Sequence, residues 1–147
     1  MKVYLDLSVL NRPFDDQFQV RIWLETMAFS IIMQLIEIGE IDLINSSVVA
    51  FENHFNPYPE RKDWVQRCLA LSKEMIRLDF TIIERGKALE SKGIKPIDAI
   101  HLACAESAKV DFFLTCDDKI VKKSLNEKLR VVNPLEFVQK FTEREIT

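Results

Sequence analysis

Four acids, Asp6, Glu52, Asp98 and Asp117, are the residues of this chain best placed for chemistry. Asp6 ends the apolar run Lys2-Val-Tyr-Leu, and Asp117 lies just past the strand-like run Asp111-Phe-Phe-Leu-Thr115. Glu52 sits on the helix that leaves a second strand, and Asp98 falls in the first turn of a helix that Pro96 opens. In open parallel sheets, ligands bind outside the carboxyl ends of the strands, where strand order reverses. Four carboxylates at one such rim repel strongly: two like charges ~4 Å apart cost about 4 kcal/mol at an effective dielectric of 20. A hard divalent cation removes that cost, and Mg²⁺ or Mn²⁺ suits an all-oxygen shell completed by water and phosphate oxygens. One or two such ions turn a bound water into a nucleophile and neutralise the charge that develops on a phosphodiester during in-line displacement. Each acid also has a purely structural reading. Asp6 and Asp117 can cap helices, Asp98 can complement a helix dipole, and Glu52 can lie on a solvated face.

The elements that must carry these acids follow from hydrophobic periodicity. Strands are expected over residues 2–6, 41–44, 111–115 and 129–132. The longest helical pattern runs from about Gln17 to Ile38 and stops at Gly39. That helix is apolar on two sides. Val20, Trp23, Leu24, Met27, Ile31, Leu35 and Ile38 form one stripe, and Ile22, Phe29, Met33 and Ile36 form another. One stripe suffices to dock on a sheet, so the other needs cover from a further helix or from a second copy in a homodimer. Ser46 or Ser47 caps a short helix carrying Glu52, and Pro59 opens a helix whose buried stripe is Trp64, Cys68, Leu71 and Met75. Thr81-Ile-Ile-Glu84 reads as a capping box for a helix ending near Gly93. The helix from Pro96 runs to about Lys109, Asp117 caps a short helix to about Leu125, and Asn133-Pro134 begins the last one. Strands alternating with helices imply an α/β fold with a parallel sheet between helical layers, a three-layer α/β/α sandwich.

Composition bounds the rest. The 147 residues are 48% hydrophobic and 29% charged, with no linker or repeat, which points to one domain over residues 1–147 and excludes a disordered chain. Glycine and proline supply only 8 residues together, so helices should be long and turns few. No apolar run reaches the ~18–20 residues of a membrane helix, and the chain opens straight into a strand-like run, so neither membrane span nor signal peptide is expected. Three widely spaced cysteines suit reduced thiols and a cytoplasmic location. They do not make a zinc site, because no Cys-x-x-Cys pair exists and His101 with Cys104 forms a single helical pair. The net charge of −3 hides an asymmetry: residues 1–60 hold 9 acids and 3 bases, residues 61–147 hold 14 acids and 17 bases. Lys119, Lys122 and Lys123 begin a basic stretch beside Asp117, read either as a solvated helix face or as a phosphate-attracting patch. Arg12, in the acidic loop Asn11-Arg-Pro-Phe-Asp-Asp16, either meets a phosphate or belongs to a structural turn.

The short motifs around the acids complete the reading. They are Asp6-Leu7-Ser8, Ser46-Ser47 followed by Glu52, Asp98-Ala99 on an apolar helix, Thr115-Cys116-Asp117 at a strand end, and a closing Val132-Asn133-Pro134. In this order, along essentially the whole chain, they resemble PIN-domain proteins, a family of metal-dependent ribonucleases that includes toxins of type II toxin–antitoxin pairs. The resemblance implies a central parallel sheet of about five strands and a site of Asp6, Glu52, Asp98 and Asp117 holding one or two Mg²⁺ or Mn²⁺ ions. It implies that Ser8, Thr115 and Asp118 orient the carboxylates or a bound water, with the spacing from Thr115 favouring Asp117 over Asp118 as the ligand. It also implies an RNA substrate, guided by Arg12, Lys119, Lys122 and Lys123, and an antitoxin protein as partner. The competing expectation is a PIN-like binding or assembly module with little catalysis.

Overall fold

The computed structural model describes residues 1–125 and 127–146. Strand β1 (Lys2–Leu5) leads through the one-turn helix α1 (Leu7–Leu10) and a 3-10 turn (Arg12–Phe14) into α2 (Val20–Glu37). Then come β2 (Asp42–Ser46), α3 (Ser47–His54), α4 (Pro59–Leu69), β3 (Glu74–Ile76), α5 (Phe80–Glu90) and α6 (Pro96–Ser107). The chain closes with β4 (Phe112–Leu114), α7 (Asp118–Lys123), β5 (Val131–Val132) and α8 (Pro134–Ile146). The five strands found among the described residues are all parallel, in the order β3-β2-β1-β4-β5.

Alternation along the strands sends side chains to opposite faces of the sheet. Tyr4 and its register partner Phe113 share one face, stacked at 5.2 Å, and that face meets His101 of α6. Phe112 points the other way, onto Phe137 of α8. Helices therefore cover both faces, and the α/β/α sandwich expected from the strand–helix alternation is the observed fold. No helix among the described residues is long and apolar enough to cross a membrane.

The structure corrects several local expectations. Of the two stripes on α2, Phe29 and Ile36 are buried together with Ala28 and Ile32, while Val20, Trp23, Leu24, Met27, Ile31 and Ile38 remain exposed. Helix α4 ends at Leu69, so Leu71 and Met75 are not part of its buried stripe. Both are exposed, and Met75 lies on β3, a strand the periodicity did not reveal. It is an edge strand of three residues, too short to show a period, and it is fixed by pairing with β2. Helix α5 is capped by Asp79, whose carboxylate accepts from the Ile82 amide at 2.8 Å, rather than by Thr81. Gly39 ends α2 as expected: its φ of +83° lies in the region only glycine adopts without strain.

Candidate functional site

The strand order turns back at β1, which has β2 on one side and β4 on the other, so the crevice beyond the ends of β1 and β4 is the switch point of this sheet. Leu5 and Leu114 are register partners, and the next residues of each strand form the floor of the crevice. Asp6 is buried there and caps α1, accepting from the Val9 amide at 3.3 Å and from the Ser8 hydroxyl at 2.5 Å. Ser8 in turn accepts from the Cys116 amide at 3.0 Å, and Thr115 accepts from the Asp117 amide at 3.1 Å. The two hydroxyls stand 3.4 Å apart. Ser8 and Thr115 thus stitch the Asp6 turn to the Asp117 turn. Asp117 is exposed and caps α7 through the Lys119 amide at 2.9 Å.

Two helices bring the other acids to the same edge. Asp98 lies in the first turn of α6 and lines one small cavity together with Asp117, Lys95, Lys119 and Lys123. One turn further along α6, His101 is buried, and its Nε2 meets Glu52 Oε1 of α3 at 2.6 Å. The other ring nitrogen, Nδ1, meets the Tyr4 hydroxyl at 2.6 Å, and that hydroxyl meets Ser46 Oγ, also at 2.6 Å.

Burial pushes the Asp6 carboxyl above its ordinary range, against the hydrogen bonds from Ser8 and Thr115 and the pull of His101. Burial also raises Asp98; His101 opposes the rise, and the negative charges of Asp117 and Glu52 add to it. Asp98, Asp117 and Glu52 therefore share one electrostatic neighbourhood. They are not closed into a ready-made cage, since among the described residues no three Asp, Glu, His or Cys side chains form a metal-holding group. Lys95 pulls the Asp98 carboxyl back toward its ordinary range, yet among the described residues none of Asp6, Asp98 and Asp117 closes an ion pair with a Lys or Arg. Their carboxylate oxygens are the donor type that a hard divalent cation takes.

The raised Asp98 makes a signed prediction. Its folded form binds a proton over a pH window in which the unfolded chain has already released it, so that stabilisation is present at acid pH and lost as pH rises through the folded value. Metal-free Asp98→Asn should therefore be more stable than the parent at neutral pH, and the gap should close on acidification. Urea unfolding of both proteins across a pH series measures it; a gap that ignores pH contradicts the assignment.

Other expected site residues are engaged elsewhere. Asp118 is exposed, with both oxygens held by Arg21 of α2 at 2.6 and 2.8 Å. Of the two readings of Arg12, the geometry is that of a turn. Its Nε and Nη2 donate to Glu25 Oε1 at 2.9 and 2.7 Å and its Nη1 donates to Asp15 at 3.0 Å. Lys123 donates to the Gly93 carbonyl at 2.7 Å. Glu25, fully buried in α2, also accepts from the Asn133 side chain and lies 3.5 Å from Arg21. Sequence reasoning missed Glu25, whose only signal was an acid within an otherwise apolar helix. His101, which the sequence offered only as half of a helical pair with Cys104, sits three residues after Asp98 on the same helical face.

Comparisons with known proteins agree with the fold. A search of the curated proteins finds no sequence match. Among solved structures, the chain is similar to VapBC2 from Rickettsia felis, bound there to a DNA fragment from its promoter (TM-score 0.56, 14% identity, 90% of this chain and 98% of that one). It is also similar to PAE2754 from Pyrobaculum aerophilum (TM-score 0.57, 14% identity, 98% of this chain and 90% of that one). At such identities the likeness is one of fold. The PIN domain family matches residues 3–125, the stretch that holds β1, β4 and all four rim acids. The chain belongs to the PIN domain family.

Proposed function

We propose that this protein is a Mg²⁺- or Mn²⁺-dependent endoribonuclease that hydrolyses RNA phosphodiester bonds. The observation that carries the reading is the set of rim acids at the β1–β4 switch point, left without Lys or Arg partners in a PIN fold. Asp6, Glu52, Asp98 and Asp117 are the residues to hold one or two ions, which when bound supply an activated water and neutralise charge on the phosphate. Ser8 and Thr115 hold the Asp6 and Asp117 turns in register. Lys119 and Lys122 on α7, beside Asp117, attract the RNA backbone.

The test is thermal unfolding with and without Mn²⁺, beside cleavage of single-stranded RNA. Saturation at ~100 times the dissociation constant adds about 2.7 kcal/mol, a rise in Tm of roughly 5–11 °C for a chain of this size. A melting point indifferent to Mn²⁺, together with intact RNA, supports the binding-module reading instead.

The assembly follows from α2. Its exposed stripe, with Trp23, Met27 and Ile31 each 43–50% exposed, is suited to a second copy of the chain, and an antitoxin that covers the acidic crevice is the partner that would restrain cleavage. Sedimentation should show a dimer that Met27→Glu converts to a monomer; a parent protein sedimenting as a monomer rejects the dimer. The free thiols of Cys68, Cys104 and Cys116 accord with a reducing cytoplasm.

A further inference from the structure

Tyr4 sits on the central strand with its ring stacked on Phe113, fully buried. A phenylalanine would fill that space equally well, and a buried hydroxyl costs about 1–3 kcal/mol unless it is hydrogen-bonded. Here the hydroxyl is a link in a chain that starts in the sheet and ends at the rim. Ser46 Oγ accepts from the Val49 amide at 3.3 Å and shares a 2.6 Å hydrogen bond with the Tyr4 hydroxyl. The Tyr4 hydroxyl also meets His101 Nδ1, and the other ring nitrogen, Nε2, meets Glu52 Oε1, so the ring spans from the sheet to the carboxylate. Glu52 is on a different helix from His101, on a short element that follows β2, and its side chain is 32% exposed. Its second oxygen, Oε2, has no protein hydrogen-bond partner among the described residues. One oxygen is thus fixed from behind while the other is left for something at the rim.

We infer that His101, anchored by Tyr4, is a positioning residue that fixes the Glu52 carboxylate for a divalent cation. The inference rests on the metal-site reading above. It says that ordering Glu52 is the function of a polar chain that packing alone does not require. Carboxylates and imidazoles at metal sites are oriented by such supporting hydrogen bonds, and loss of one typically lowers metal affinity about 10–100-fold.

The probe is Mn²⁺ alone, with binding to the full chain measured by calorimetry in the absence of RNA. His101→Leu should weaken Mn²⁺ binding by about 10–100-fold, and Tyr4→Phe, which removes one oxygen from the core, should weaken it by a smaller factor in the same direction. His101→Gln should recover much of the loss, because its amide N–H can stand where Nε2 stood. In a Glu52→Gln background, His101→Leu should have no further effect. Should His101→Leu fail to fold, Tyr4→Phe and His101→Gln carry the same test. Unchanged affinity in His101→Leu or Tyr4→Phe, while Glu52→Gln and Asp98→Asn lose affinity, overturns the positioning role and leaves the metal site standing. An equal loss from His101→Leu in the parent and in the Glu52→Gln background also overturns it. A parent chain that binds no Mn²⁺, or whose binding ignores Glu52→Gln and Asp98→Asn, overturns the metal site and the positioning role together.

Discussion

Asp98→Asn is expected to slow RNA cleavage by at least about 10²-fold at saturating Mn²⁺. Charge stabilisation by a bound cation is worth several kcal/mol in a phosphodiester displacement, and each 1.36 kcal/mol is a factor of ten in rate. The amide keeps the size of the carboxylate and its place in the first turn of α6, but it cannot offer an anionic oxygen. Asp98 is half-buried, next to Asp117 in one small cavity, and within the field of Glu52, so its charge is the one most closely shared with the other rim acids. Because the same substitution should stabilise the metal-free protein at neutral pH, lost cleavage in a protein of higher melting point cannot be ascribed to unfolding. Single-turnover cleavage of a labelled single-stranded RNA across a Mn²⁺ titration provides the measurement. Undiminished cleavage by the variant would remove Asp98 from the site.

Glu25→Ala is expected to destabilise the protein by roughly 3–5 kcal/mol, the usual cost of leaving one half of a buried ion pair behind. Total stability of a domain is about 5–15 kcal/mol, so this is a large fraction of it. Glu25 gathers three parts of the chain: Arg12 from the turn after α1, Arg21 from its own helix, and Asn133 from the start of α8. Its removal leaves the Arg12 guanidinium facing a desolvated gap, with only Asp15 as an acid partner. At about 2 kcal/mol per molar urea, the unfolding midpoint should fall by roughly 2 M. Arg12→Met combined with Glu25→Leu should recover much of the loss, since apolar residues of similar volume replace buried ion pairs at little cost. A double variant no better than Glu25→Ala would show that Glu25 acts through Asn133 or Arg21 instead.

The parts of this architecture visible in the sequence are those with local causes. Asp6 and Asp117 could be located because each follows an apolar run of strand length and each is a residue type that caps helices. Ser46 as the cap of α3 and Gly39 as the stop of α2 rest on equally local chemistry. What was hidden depended on distant partners. Both apolar stripes of α2 satisfy the same helical period, and only the packing of α8 and the 3-10 turn against one side decides which is buried. β3 exists because β2 offers it a partner, and three residues cannot announce that. Glu25 and His101 are buried polar residues whose meaning lies in side chains of other elements, Arg12 and Asn133 for the first and Glu52 for the second.

The position of β1 at the centre of the sheet has a consequence for synthesis. Strand β1 needs neighbours on both edges, and the second of them, β4, begins only at Phe112. Until residues 112–117 have been made, the nascent chain has neither the completed crevice nor Asp117. Contacts of such long sequence separation also form slowly. The rim acids therefore come together late, only once β4 has paired with β1.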